Sequence, residues 1–173
     1  YVPFCEDERE AGAQLNRLYS PPFWPVRLDE LGAGLCMRPL PERFAIGDLQ
    51  IETMRGQHPG GCMVFKLSYA GRSLVYASDY EHGGPDPELA AFSRNTDLLL
   101  YDAQFGAEEY ERKKGYGHST AEKGLELMKR AGVRRLLLIH HDPRSTDSIL
   151  RDREAELPAG MAAYAREGQV IHL

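Results

Sequence analysis

A chain of 173 residues is long enough for one domain with a substantial core and short for two. Its 42% hydrophobic and 27% charged residues are ordinary for a globular protein. A formal net charge of -5 excludes a general attraction to polyanions, so binding a nucleic acid would require a local basic patch, which this charge balance does not favour.

From the N-terminus, Ala11, Leu15 and Leu18 at helical spacing predict a helix within residues 6–20, ended by Pro21-Pro22 because proline cannot continue it. Residues 23–28, 35–40 and 48–56 read as short strands between Gly and Pro punctuation. Met63, Phe65, Leu67 and Tyr69 alternate with other residues, and the connection at 70–72 leads into a second strand over 73–78, which predicts a β-hairpin. Residues 97–103 and 134–142 are short apolar runs of the fully buried strand type. Between them, Ser119 with Glu122 forms a capping-box pattern that opens a helix closed by Gly132. Residues 148–157 and 161–168 predict further helices, and 169–173 a last strand. The order, mostly β and then β-helix-β-helix, implies an α/β sheet covered by helices.

Cys5, Cys36 and Cys62 are odd in number and far apart, which excludes a disulfide framework or a paired-thiolate site and points to a reducing, cytoplasmic setting. No apolar run approaches the length that spans a bilayer, so no membrane partner is expected. The runs Arg112-Lys113-Lys114 and Arg134-Arg135 are too short for a nucleic-acid patch and read as solvated faces.

Three apolar strands lead into polar groups: Asp79, Asp102 and the triplet His140-His141-Asp142. Open α/β sheets gather ligand-binding side chains at the carboxyl ends of their strands. Carboxylate oxygen and neutral imidazole suit zinc, manganese or iron. Asp79 taken alone serves equally well as a turn acid, while His58 taken alone reads as a surface turn histidine rather than a ligand. His118 stands just before a helix N-terminus, where orphan amides favour an anion, with Asp102 as the acid that would orient it; packing beside the cap is the alternative. His82 and His172 read as surface residues, and Glu81 as a loop residue.

Together these segments resemble the metallo-β-lactamase fold superfamily, in particular its ribonuclease Z-like and phosphodiesterase-like members, from about His58 to the C-terminus. The segment "QHPGGCMVFKL" resembles the motif that supplies His58 as a metal ligand. "VYASDYEH" resembles the motif whose aspartate, here Asp79, bridges two metals, and "LLIHHDP" the one that supplies His140 in preference to His141. "LLLYDAQF" followed by "GHST" is similar to the acid and histidine pair of the ribonuclease Z-like branch, with Asp102 where that branch often has glutamate.

The resemblance implies an αββα sandwich holding two divalent transition-metal ions, zinc first and manganese or iron as alternatives. It also implies a hydrolase in which a metal-bound hydroxide attacks a phosphodiester or related small anionic ester, with His118 and Asp102 catalytic. The family's HxHxDH motif is absent, since none of the six histidines forms an HxH pair. The chain, 1–173, is therefore expected to be a single domain forming the C-terminal portion of that fold, with an upstream segment supplying the remaining ligands. By itself it would be inactive. The alternatives are a metal-free binding or assembly module that dimerises to cover its sheet, and thioester hydrolysis or oxygen chemistry at iron on the same fold.

Overall fold

The computed structural model describes residues 1–84 and 86–173 and divides into two units, Tyr1–Glu42 and Arg43–Leu173. In the first unit, helix α1 (Glu8–Leu18) is opened by Asp7, whose carboxylate accepts from the Glu10 amide at 2.7 Å, and ends before the prolines as expected. The strands expected over 23–28 and 35–40 do not form. The first segment is turn and a 3₁₀ turn at Leu28–Glu30, and the second makes one bridge, Val2 to Pro39. Pro25 and Pro39 remove ladder donors, and Phe23 and Trp24 stay exposed, so neither segment has a buried face to define a register.

The second unit is built on one seven-stranded sheet in the order β1-β2-β3-β4-β5-β6-β7. Strands β1 (Arg43–Ile46), β2 (Leu49–Gly56), β3 (Cys62–Tyr69) and β4 (Arg72–Ala77) form an antiparallel meander. The expected hairpin closes on Ala70-Gly71, with φ of 49° and 76°, the two left-handed residues that match the twist of the flanking strands. Strands β5 (Leu98–Asp102), β6 (Arg135–Ile139) and β7 (Ala162–Tyr164) then add parallel to β4. Both β2 and β4 run antiparallel to β3, so β2, β4, β5 and β6 all point their carboxyl ends at one rim.

Helices α2 (Pro87–Phe92) and α4 (Ala121–Ala131) pack on one sheet face, where Val64, Val75, Leu99, Tyr101 and Leu138 meet Leu89, Leu127 and Met128. Gly124 lets α4 approach closely, since a Cβ there would lie 2.9 Å from the Tyr101 ring. The N-cap of α4 is Thr120, one residue later than expected, and its hydroxyl accepts from the Lys123 amide; Ser119 is fully buried instead. Gly132 ends the helix in the left-handed conformation, as expected. Short helix α3 (Ala107–Arg112) and helix α5 (Asp147–Glu154) complete the unit. On the opposite face, Phe65, Tyr76 and Leu100 line up across three strands with Leu67 and Leu74 beside them, all only half-buried or exposed.

The C-terminal expectation is reversed. Residues 161–168 hold strand β7 rather than a helix, and 169–173 form no strand. Alanines favour a helix, but Ala162 and Tyr164 alternate inward beside β6, and burial at a sheet edge outweighs weak local propensity. Among the described residues no helix is long and apolar enough to cross a membrane.

Candidate metal centre

Adjacent parallel strands deliver three of the expected residues. Asp79 follows β4, Asp102 ends β5 and His140 follows β6, at matching heights because Ala77 pairs with Tyr101 and Asp102 with Ile139. His58 enters the same rim from the turn between β2 and β3, which is closed by the Gly61 amide donating to the His58 carbonyl. Asp79 and His140 both have left-handed backbones, with φ of 51° and 60°. Each costs about 1–2 kcal/mol for a residue with a Cβ, and such strain collects at functional positions.

Asp79 Oδ1 faces two imidazoles at once, 3.8 Å from His58 Nε2 and 3.5 Å from His140 Nε2. Two ligand atoms held about 2.0–2.2 Å from one tetrahedral ion lie roughly 3.3–3.6 Å apart; the spacing to His140 falls in this range and the spacing to His58 just beyond it. The tautomer fits as well. His58 Nδ1 lies 2.8 Å from the Pro59 carbonyl and donates its proton there, which leaves the Nε2 lone pair toward Asp79. The Ser78 hydroxyl donates to Asp79 Oδ2 at 3.1 Å and sits 3.4 Å from His140 Nδ1. With its side chain 45% exposed, Asp79 leaves room for further ligands.

His118 completes the cluster. Its ring stacks on His140 with centroids 4.7 Å apart and meets His58 edge-on at 5.4 Å. Its Nδ1 lies 2.9 Å from Asp102 Oδ2. Asp102 is wholly buried, and Oδ2 also accepts from the Tyr80 amide while Oδ1 accepts from the Ser119 and Gln104 amides. Burial raises the Asp102 carboxyl above its ordinary pKa, and His118 and these amides oppose that rise. Among the described residues the donor atoms form two overlapping trios within 4.8 Å, His58-Asp79-His118 and Asp102-His118-His140, and His118 is common to both.

The rest of the rim departs from the sequence expectation. His141 turns away, with Nε2 3.2 Å from the Ala165 carbonyl. Asp142 joins Arg144 at 2.8 Å, and that guanidinium holds its carboxyl well below the usual range, so Asp142 does not converge on the cluster. Glu81 and His82 are not free loop residues. His82 is buried, its Nδ1 2.6 Å from Ser119 Oγ and its ring packed on Tyr110, while Glu81 receives two backbone amides. Ser78, Tyr80 and His82 are buried in alternation, one position out of phase with Val75 and Ala77 of β4, so the inward face shifts by one residue where the strand ends. A hollow of about 760 Å³ lined by Gln57, Glu81, His82, Tyr110 and Lys114 opens beside the cluster rather than over it.

Burial, more than Lys123, lowers the His82 pKa below its ordinary value. A histidine whose folded pKa is depressed contributes stability that is lost as pH falls from the unfolded value, about 6.5, toward the folded one. Urea midpoints measured from pH 8 to pH 5 are expected to fall through this window. A His82→Gln chain should show a shallower fall, and an identical slope would exclude His82 as its source.

The family profile described as the Beta-lactamase superfamily domain matches residues 14–141. The chain belongs to this superfamily. Within it, the chain is similar in sequence to proteins named ribonuclease Z. Ribonuclease Z of Gemmatimonas aurantiaca is 36% identical over 104 residues, covering 60% of this chain and 32% of that protein. Ribonuclease Z of Picrophilus torridus is 36% identical over 86 residues, 50% of this chain and 27% of the relative. The chain thus spans about a third or less of the curated relatives it matches. Two solved structures share the fold. The metallo-β-lactamase fold protein YhfI of Bacillus subtilis has a TM-score of 0.62 and 22% identity, over 76% of this chain and 53% of that one. The short form of human tRNase Z has a TM-score of 0.52 and 20% identity, over 60% of this chain and 40% of the other.

Proposed function

We propose that this chain carries part of the metal centre of a hydrolase that cleaves a phosphodiester or related anionic ester. The observation that carries the reading is Asp79 Oδ1 facing His58 Nε2 and His140 Nε2 at 3.8 and 3.5 Å, with the His118-Asp102 pair beside it. His58, Asp79 and His140 would hold the ions, zinc first and manganese or iron as alternatives, since two imidazoles and a carboxylate suit all of these. A divalent ion bound there supplies Lewis acidity and a water of lowered pKa.

Asp102 accepts the His118 Nδ1 proton and sets the ring so that Nε2 can give a proton to the leaving oxygen of the ester. A His118 donor atom also lies within 4.8 Å of those of His58 and Asp79, so the metal content of a His118 variant separates proton donation from ligation. The similarity to enzymes named ribonuclease Z supports a phosphodiester as the substrate class, with RNA as one form of it.

Three ligand side chains are too few for two ions, so the remaining donors come from a further segment bearing the HxHxDH pattern, and the domain is the C-terminal portion of the complete fold. The apolar face formed by Phe65, Leu67, Leu74, Tyr76 and Leu100 supports this reading, because a patch of this kind calls for cover by more polypeptide or a second copy. The free thiols of Cys5, Cys36 and Cys62 support a reducing compartment.

Elemental analysis of the full-length gene product is the test. About two transition-metal ions per chain are expected, with clear loss in Asp79→Ala. No metal after metal-replete expression would reject the hydrolase in favour of a binding module. Turnover of a thioester but not of a phosphodiester would reject the substrate class.

A further inference from the structure

We infer that Glu81 is a positioning residue that ties the loops bearing His58, Asp79 and His118 into one unit. The inference rests on the proposed metal centre and extends it to a residue that ligates nothing. Glu81 stands two positions beyond Asp79. Its backbone amide donates to the Gln57 carbonyl at 2.8 Å, which anchors the residue next to His58. Its carboxylate accepts the Gly115 amide at Oε1, 2.6 Å, and the Gly117 amide at Oε2, 2.9 Å, on either side of Tyr116 and immediately before His118. The Tyr110 hydroxyl approaches Oε1 at 3.3 Å and the His82 carbonyl at 2.9 Å, so α3 is joined to the same point.

The third link is steric. Gly117 has φ of 93°, and a Cβ on it would collide with the His58 ring and Pro59. Holding the Gly117 amide on Glu81 therefore sets the His118 loop against the Cδ2–Nε2 edge of the His58 imidazole. The Gln57 carbonyl, one residue before His58 in the chain, and the Gly117 amide beside its ring are thus held by one residue. Bonds from backbone amides to an ionised carboxylate are short and strong, and two in parallel define an orientation as well as a distance. Without them, three loops would each sample their own conformations, and the ligand atoms would lose the spacing that fits an ion. His140 lies outside this clamp; it is placed by β6 directly.

The test uses the full-length protein and Glu81→Gln, which preserves size but faces one of the two amides with an NH₂ group. Three quantities are read: hydrogen exchange of the Gly115 and Gly117 amides, zinc affinity by chelator competition, and the thermal midpoint. Faster exchange at both glycines and zinc affinity lower by about 10–100-fold are expected, as for other partners that orient metal ligands. Leu136→Ala, which opens a cavity at the amino end of β6, the end of that strand away from the rim, separates positioning from general stability. It should lower the midpoint and leave zinc affinity unchanged. Unaltered exchange in Glu81→Gln overturns the inference. Faster exchange with unchanged zinc affinity overturns it too, and so does an affinity loss no greater than Leu136→Ala shows at an equal midpoint. A wild-type protein that binds no zinc refutes the metal centre instead. In that case exchange at Gly115 and Gly117 alone decides whether Glu81 clamps the loops.

Discussion

Replacing His118 by alanine is expected to lower phosphodiester hydrolysis by about 10²–10⁴-fold, the usual contribution of a positioned proton donor, while bound metal stays at the wild-type level. The geometry behind this is the Nδ1 contact of 2.9 Å to Asp102, which consumes one ring nitrogen and leaves the other to face the cluster. Kinetics on an activated aryl phosphodiester, whose leaving group needs little protonation, should show a smaller loss than kinetics on an alkyl one. Equal losses would remove the proton-donor role. A drop in metal content along with activity would make His118 a ligand, the role suggested by its place within 4.8 Å of His58 and Asp79 donor atoms.

Asp102→Ala is expected to destabilise the chain by about 3–5 kcal/mol, the range seen when one partner of a buried charged pair is deleted. In a domain of this size that corresponds to a fall in thermal midpoint of roughly 6–20 °C. The reason is that Asp102 is fully buried and accepts from the Tyr80, Gln104 and Ser119 amides as well as from His118. Removing the carboxylate strands these donors away from water. Asp102→Asn keeps an acceptor oxygen and should be milder in stability, yet it disturbs the His118 tautomer and should still impair hydrolysis. A midpoint shift below about 2 °C for Asp102→Ala would mean that water replaces the carboxylate and that the site is softer than its burial implies.

The rim residues were legible because each breaks a rule on its own strand. Asp79, Asp102 and His140 interrupt apolar runs at their carboxyl ends, and a polar group there must be satisfied or useful. His58 had no such context, and only its resemblance to a family motif singled it out. Glu81 and His82 were read as loop residues because their partners are remote: His82 bonds Ser119 37 positions away, and Glu81 bonds Gly115 and Gly117 34 and 36 positions away. Extending the β4 pattern of Val75 and Ala77 would have pointed inward at 79 and 81, whereas burial shifts to Ser78, Tyr80 and His82. The α4 cap was misread by one residue because Ser119 and Thr120 are equally good caps locally, and Ser119 is claimed instead by His82, Tyr101 and the Asp102 carboxylate.

By itself the sequence determined strands β2 to β6, where the hairpin turns and where α4 ends, since these depend on periodicity and on left-handed residues that act within a few positions. It also determined the chemistry available, two imidazoles and carboxylates at strand ends. The tertiary structure decided what local patterns leave open. It made residues 162–164 a strand because a free edge of β6 offered burial, and it removed Asp142 from the rim through Arg144. It placed His58, 21 positions from Asp79 in the chain, within 3.8 Å of it, because the meander brings the carboxyl end of β2 to the rim where β4, β5 and β6 end. Strand direction is set by pairing between distant segments, and no local propensity encodes it.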